Sequence, residues 1–388
     1  MKNNTRLYDF LTILVIGLFC YYTYSSIISL GYLEEVGSTS AIVKLSVVGI
    51  SVLTILFAGS NTPTKFSRVW WFWIIWLLID FFVLGLRGNG VSNVFSVTFA
   101  PMSFLFFYTV SGFSENVSKI ATVGFLSLFC LAFVMNLSYL SYSYINIFEE
   151  SGITNLIYWC LCAVPFIFLI KKKWLEYFFL IAATIIILVT GKRSAFICLV
   201  LIYIAILFFS RKRDNNKKST LFVILGGVGL LLVVDHYFSS AFNSILGRIS
   251  TIQDDQGSGR IPLYQDVLNV LSANSPIDWI VGRGYGSITI TKHTNAHNDA
   301  LHMLFEYGII GLFFYLAMLW NAVKACRILY RNQSQYFMGY VVSLIIFVVL
   351  GMVSNLVVFY SYFAFICAYW GLAENVILQS RYNIDYDV

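Results

Sequence analysis

Long apolar runs recur along almost the whole chain and constrain it more than any other feature. Twelve of them approach the roughly 20 residues that a helix needs to cross the hydrocarbon core of a bilayer. The fourth is interrupted by Pro101, and the ninth is short. The twelve are Phe10–Leu30, Ala41–Gly59, Val69–Leu86, Asn93–Phe113, Ile120–Leu140, Ile153–Ile170, Trp174–Thr190, Ser194–Phe209, Thr220–Val234, Ala300–Lys324, Gln335–Ser354 and Val357–Val376. The sequence therefore predicts an all-α polytopic membrane protein with about 12 transmembrane helices, and a single integral membrane domain over residues 1–388.

The composition excludes several other classes of protein. Of the 388 residues, 59% are hydrophobic and 11% charged, whereas a soluble domain carries about 25% charged residues. The seven cysteines are scattered and suggest neither a disulfide framework nor a metal site. A net charge of +6 does not indicate nucleic acid as a partner, because membrane proteins collect Lys and Arg in their cytoplasmic loops.

The basic residues predict the orientation of the chain. With the N-terminus inside and twelve spans, both termini are cytoplasmic, and 17 of the 25 Lys and Arg residues fall on the cytoplasmic side, as the positive-inside rule requires. The largest segment outside the membrane is then the outward-facing loop Asp235–Asp299. We expect much of the active site in this loop.

A short hairpin between the seventh and eighth runs breaks the charge rule. It reads Thr190-Gly191-Lys192-Arg193-Ser194, with two adjacent cations on the outward side. Anchoring by outer phospholipid phosphates is one explanation. The alternative is a bound lipid diphosphate at headgroup depth, because the planar fork of an arginine fits phosphate oxygens bidentately.

Two stretches of the outward loop suggest further anion contacts. After Gly257-Ser258-Gly259, Arg260 opens an amphipathic stretch whose apolar positions 261, 264, 268 and 271 share one helical face. Free N–H groups at a helix N-terminus attract anions. A surface helix lying on the membrane with a solvated arginine is an equal alternative. The following segment is Gly282-Arg283-Gly284-Tyr285-Gly286. It is either a simple turn or a glycine-rich turn whose backbone N–H groups approach a phosphate.

His297 stands at the outer mouth of the tenth run. A neutral imidazole can accept a proton from an attacking hydroxyl near pH 7, although an interfacial hydrogen-bonded histidine is the common alternative. His293 and His302 have no better claim from spacing alone. His293, His297 and Asp299 lack the partners of a zinc site, so we expect no metal and no cofactor, with Glu34-Glu35 as the fallback if a metal is needed.

Several short motifs occur together between about residues 190 and 312. They are Thr190-Gly191-Lys192-Arg193-Ser194, Arg248 and Gly259 with ten residues between them, Gly259-Arg260, Ser275-Pro276 before Gly282-x-Gly284-x-Gly286, and Ala296-His297-Asn298-x-x-Leu301 before Glu306-x-Gly308-Ile309-Ile310-Gly311. With the multi-span architecture and the late outward loop, they resemble the bacterial O-antigen polymerases (Wzy) and the related O-antigen ligases (WaaL). The N-terminal half matches only in hydropathy.

The resemblance implies an inner-membrane glycosyltransferase of lipopolysaccharide biosynthesis with a periplasmic active site. Its donor would be an undecaprenyl diphosphate-linked oligosaccharide, and its mechanism metal-independent. Arg193, Arg248 and Arg260 would bind the donor diphosphate, and His297 would act on the acceptor hydroxyl. The supporting residues would be Lys192, Tyr285, Asn298 and Glu306.

Three functions fit the resemblance and the hydropathy. A polymerase, which joins two lipid-linked repeat units and works with a chain-length regulator protein, is the first interpretation. A ligase, which transfers the glycan to lipid A–core, is the alternative. A lipid-linked oligosaccharide flippase or other transporter comes last, because the chain has no internal repeat and the charges crowd one side.

Overall fold

The computed structural model describes residues 2–32, 38–58, 65–83, 92–143, 156–213, 260–288, 296–357 and 360–386. Within these ranges the regular secondary structure is helical and contains no strand. The α-helices are α1 (Lys2–Tyr32), α2 (Ser38–Ala58), α3 (Lys65–Val83), α4 (Ser92–Val110), α5 (Asn116–Ser143), α6 (Ile157–Ala163), α7 (Lys173–Thr190), α8 (Arg193–Arg213), α9 (Arg260–Ser272), α10 (Pro276–Val281), α11 (Asp299–Arg331), α12 (Phe337–Val353) and α13 (Tyr360–Tyr386). The all-α prediction is confirmed for this part of the chain.

Six of the described helices are long and apolar enough to cross a membrane. The apolar stretches are Thr5–Ile28, Ser40–Ala58, Asn116–Ser138, Lys173–Thr190, Asp299–Arg331 and Ser361–Gln379. Shorter apolar helices cover Arg68–Ile79, Phe95–Val110, Ile157–Leu169, Arg193–Phe209 and Phe337–Val353. The chain is thus a helical membrane protein. The count of twelve spans stays a prediction, and the ninth run, Thr220–Val234, lies outside the described residues.

The sixth and fourth apolar runs each contain a proline, and the backbone conformation around the proline differs between the two runs. Within the sixth run, predicted over Ile153–Ile170, α6 passes into a 3-10 helix at Val164–Leu169. Pro165 has no N–H for a helical hydrogen bond, which favours this change. Pro101 lies inside α4 without ending it, and the surrounding residues are buried against α2 and α13.

The last helix, α13, forms the centre of the membrane domain. Within its apolar stretch 83% of the residues are buried, against 22% to 44% in the other five long stretches. Its Phe365 ring lies 5.6 Å from Phe19 of α1 and 5.0 Å from Phe125 of α5. The outer helices instead leave large apolar side chains such as Phe57 uncovered, as expected of surfaces that face lipid.

A second, smaller core joins α9 and the segment after α10 to the start of α11. It consists of Val267, Leu271, Ile288, Ala296 and Phe305. The predicted apolar face of the loop helix is therefore only partly correct. Leu271 is buried, but Ile261 and Leu268 are 52% and 48% exposed, because the small core takes up the face that carries Val267 instead.

Candidate functional site

The hairpin between α7 and α8 depends on a left-handed glycine. Gly191 has φ 64° and ψ 15°, and its N–H donates to the carbonyl of Leu188. This conformation costs an L side chain about 1 kcal/mol or more, so glycine suits the position. The turn ends α7 at Thr190 and starts α8 at Arg193, which places Lys192 and Arg193 side by side at the hairpin tip.

Lys192 is held against an aromatic ring and among other cations. Its Nζ lies 5.6 Å from the centroid of the Tyr158 ring, a cation–π arrangement. Burial, followed by the charges of Arg260 and Arg193, lowers the pKa of Lys192 to about 8. An anion bound here would restore the full charge of the amine, because a nearby opposite charge favours the charged form.

His297 lies in the same group of charges. Burial, followed by the charges of Arg260 and Lys192, lowers the pKa of the His297 imidazole below its usual value. The imidazole is therefore neutral near pH 7 and able to accept a proton. The structure thus brings together Lys192, Arg193, Arg260 and His297, which come from three separate segments of the chain. We call these four residues the cation–histidine cluster.

A buried group of three hydroxyls lies beneath this cluster. The Tyr158 hydroxyl is 2.6 Å from Ser194 Oγ and 2.7 Å from Ser354 Oγ. These bonds connect α6, the first turn of α8 and the end of α12. They fix the ring over which Lys192 lies. Sequence reasoning missed Tyr158 and Ser354, because single hydroxyls in or beside an apolar run carry no distinctive signal.

Three hydrogen-bonded anchors hold the segment that carries His297. The Tyr264 hydroxyl donates to the His297 carbonyl oxygen at 3.3 Å. The Asn298 side chain caps α11 by accepting from Leu301 N at 3.1 Å. The buried Asp299 Oδ2 accepts from the backbone N–H groups of Leu356 and Val357, both at 3.0 Å. Asn298 is thus a helix cap in this structure, and Asp299 was not anticipated as a site residue.

The buried Glu306 and the partly buried Tyr285 form a neighbouring group. Glu306 is 1% exposed, and its Oε2 lies 3.1 Å from His302 Nε2. Burial, followed by the charge of Glu306, raises the pKa of Tyr285, which places the two side chains close together. His302 is enclosed with Glu306, whereas the charges of Arg260 and Lys192 act on His297.

The glycine-rich segment packs by backbone against a break in α11. Gly308 has φ 64° and ψ −164°, which interrupts the helix. The N–H of Gly284 donates to the Glu306 carbonyl oxygen at 2.9 Å. Arg283 donates to Asn274 Oδ1 at 2.7 Å, which ties the segment to the end of α9. The segment is thus a packed turn in this structure, and its approach to a phosphate stays a prediction.

Several expected site residues lie outside the described part of the chain. These are Arg248, His293, Glu34, Glu35 and the glycines before Arg260. Among the residues that the structure describes, no group of three or more His, Cys, Asp and Glu side chains is arranged to hold a metal ion.

Comparison with known proteins adds one finding. Residues 178–316 match the family model described as O-antigen ligase (Wzy_C). The match covers a little over a third of the chain and includes the hairpin, α9, α10 and His297. It supports a membrane enzyme of polysaccharide biosynthesis from the O-antigen ligase and polymerase superfamily. No curated protein sequence matches the chain.

Proposed function

We propose that the chain is an O-antigen polymerase, a glycosyltransferase that joins undecaprenyl diphosphate-linked repeat units at the periplasmic face of the inner membrane. The observation that carries the proposal is the cation–histidine cluster. Its cations lie beside a neutral imidazole. Transfer from a lipid diphosphate requires both positive charge for the leaving group and a base for the acceptor hydroxyl.

The donor side of the reaction needs positive charge. When the acceptor oxygen attacks the anomeric carbon, the bond from that carbon to the diphosphate oxygen breaks. Undecaprenyl diphosphate then leaves with the electron pair. Arg193 and Arg260 bind the diphosphate and stabilise this developing charge, together with Arg248 by resemblance. Lys192 adds a third cation of the described cluster, so the mechanism requires no metal.

The acceptor side needs a base. His297 takes the proton of the acceptor hydroxyl, which belongs to the terminal sugar of a second lipid-linked repeat unit. Its lowered pKa keeps the imidazole available as a base at neutral pH. Asn298, Tyr285 and Glu306 support this segment through the helix cap and the packing of the glycine-rich segment. A chain-length regulator protein is the proposed protein partner.

The ligase reaction is the second candidate. It is favoured by the description of the matched family, and it differs only in the acceptor, which is then a sugar of lipid A–core. The spacing of Arg248 and Gly259 resembles the spacing found in the polymerases, and for this reason we propose the polymerase reaction first.

Deletion of the gene from its host separates the candidates on a lipopolysaccharide gel. A polymerase deletion gives core that carries a single repeat unit. A ligase deletion gives bare core, while polymer accumulates on the lipid carrier. Bare core with short lipid-linked units on the cytoplasmic face would support a transporter, and an unchanged ladder would contradict all three functions for this polysaccharide.

A further inference from the structure

The turn between α12 and α13 lies against the cation–histidine cluster, although it is far from it in sequence. Ser354 Oγ is 2.7 Å from the Tyr158 hydroxyl and 3.4 Å from Ser194 Oγ, next to Arg193. Two residues later, Leu356 and Val357 donate to Asp299, which follows His297 by two positions. Residues on both sides of Asn355 are therefore fixed to segments that carry the cluster.

Asn355 is held in an unusual state within this turn. Its backbone has φ 57°, a left-handed conformation that asparagine tolerates better than most residues. The side chain is 1% exposed. Neither Oδ1 nor Nδ2 has a hydrogen-bond partner among the residues that the structure describes. Buried amides nearly always have partners, and an amide without them calls for an explanation such as a role in binding.

We propose that the Asn355 amide binds a sugar of the lipid-linked glycan, which makes the turn from Ser354 to Val357 a part of the active site. This inference rests on the proposed function. A sugar hydroxyl both donates and accepts hydrogen bonds and therefore satisfies Oδ1 and Nδ2 together. A diphosphate only accepts, so it would leave Oδ1 without a donor. In this proposal the amide binds the glycan part of the substrate, while the cations bind its diphosphate.

The position also explains why the amide is kept in spite of its cost. A buried polar group without a partner destabilises the folded chain, and a role at a functional site is one explanation for such a group. Asn355 lies beyond residue 316, where the family match ends. Its assignment therefore depends on the tertiary contacts of the turn.

The test replaces Asn355 by glycine, which accepts the left-handed backbone and removes the amide. The matched control is Gln333→Gly, because Gln333 is an exposed amide residue with φ 47° in the turn between α11 and α12. Each full-length protein is purified and assayed with undecaprenyl diphosphate-linked repeat units. Inhibition by undecaprenyl diphosphate without a sugar and the melting temperature are measured in parallel.

We expect N355G to raise KM for the glycan substrate about tenfold, the effect of losing one or two hydrogen bonds to the ligand. Inhibition by undecaprenyl diphosphate should not change, and the melting temperature should stay equal or rise. Q333G should match the original chain in all three measurements.

Three results would overturn the inference. An unchanged KM would mean that the amide meets only water. An equal weakening of inhibition by undecaprenyl diphosphate would place the amide on the diphosphate. A lower melting temperature would show that the amide serves the fold. Failure of the unaltered protein to form any product with either acceptor is a different result, which contradicts the proposed function instead.

Discussion

At the scale of single residues, the left-handed backbone conformation of His297 limits which substitution can test the role of its imidazole. Its φ is 51°, so alanine would add backbone strain to the loss of the imidazole, whereas asparagine tolerates this conformation. We expect His297→Asn to lower kcat by about 100-fold or more, the usual contribution of general base catalysis, while the protein still accumulates in the membrane.

His302→Gln is the matched control for this substitution. His302 is buried beside Glu306, so its replacement should lower the melting temperature and leave kcat within a few-fold of normal. The measurement is product formation per mole of folded protein. Near-normal turnover by His297→Asn, or loss of turnover only in His302→Gln, would remove His297 from the chemical step.

We expect Lys192 to make the activity fall at alkaline pH. Its pKa is lowered to about 8, so the amine loses its charge as the pH rises through this value and attracts the diphosphate less. We expect kcat/KM to fall above about pH 8. Lys192→Arg should remove this fall, because a guanidinium remains charged throughout the range.

The control for Lys192→Arg is Lys172→Arg, an exposed lysine just before α7. Its profile should coincide with that of the original chain. A decline that persists unchanged in Lys192→Arg would assign the alkaline titration to a different group.

At the scale of elements, the break in α11 at Gly308 supports the glycine-rich segment. A Cβ atom at Gly308 would clash with the Ile280 carbonyl oxygen, and the φ of 64° at Gly308 disfavours any other residue. We expect Gly308→Ala to destabilise the protein by about 2 kcal/mol or more, measured as a lower melting temperature.

Gly49→Ala is the control for this substitution, since a Cβ at Gly49 of α2 meets nothing within 4 Å. It should change stability by less than about 1 kcal/mol. Equal melting temperatures for the two variants would contradict the packing role of the break.

Several elements were predictable because their signals are local. The short gap between the seventh and eighth apolar runs predicted the hairpin, and Arg260 does open α9. The buried face of α9 was predicted only in part, because periodicity reports which residues are apolar and not which neighbour covers them. The helical state of the segment around Pro101 also depended on burial against α2 and α13, which no local pattern reports.

At the scale of the whole molecule, the orientation in the membrane is open to a direct test. Single cysteines are placed at Ser272 in α9 and at Lys172 before α7, in a chain whose seven native cysteines are replaced. The positive-inside rule puts these positions on opposite sides. We expect an impermeant maleimide to label Ser272→Cys in intact spheroplasts and Lys172→Cys only after lysis. The reverse pattern would invert the topology.

The sequence by itself determined the helical membrane class of the chain and the residue types able to bind a lipid diphosphate. Apolar length and charge placement follow from the cost of exposing polar groups to lipid, and this cost acts locally along the chain.

Only the tertiary structure decided which of those residues meet. Burial, followed by the charges of Arg260 and Lys192 on other segments, lowers the pKa of His297. Hydrogen bonds also join residues that are up to 196 positions apart in sequence. They link the hydroxyls of Tyr158, Ser194 and Ser354, and they link Asp299 to the turn between α12 and α13. Such contacts arise from the packing of α6, α8, α11 and α12 against one another. The order of residues along the chain does not show which helices pack together.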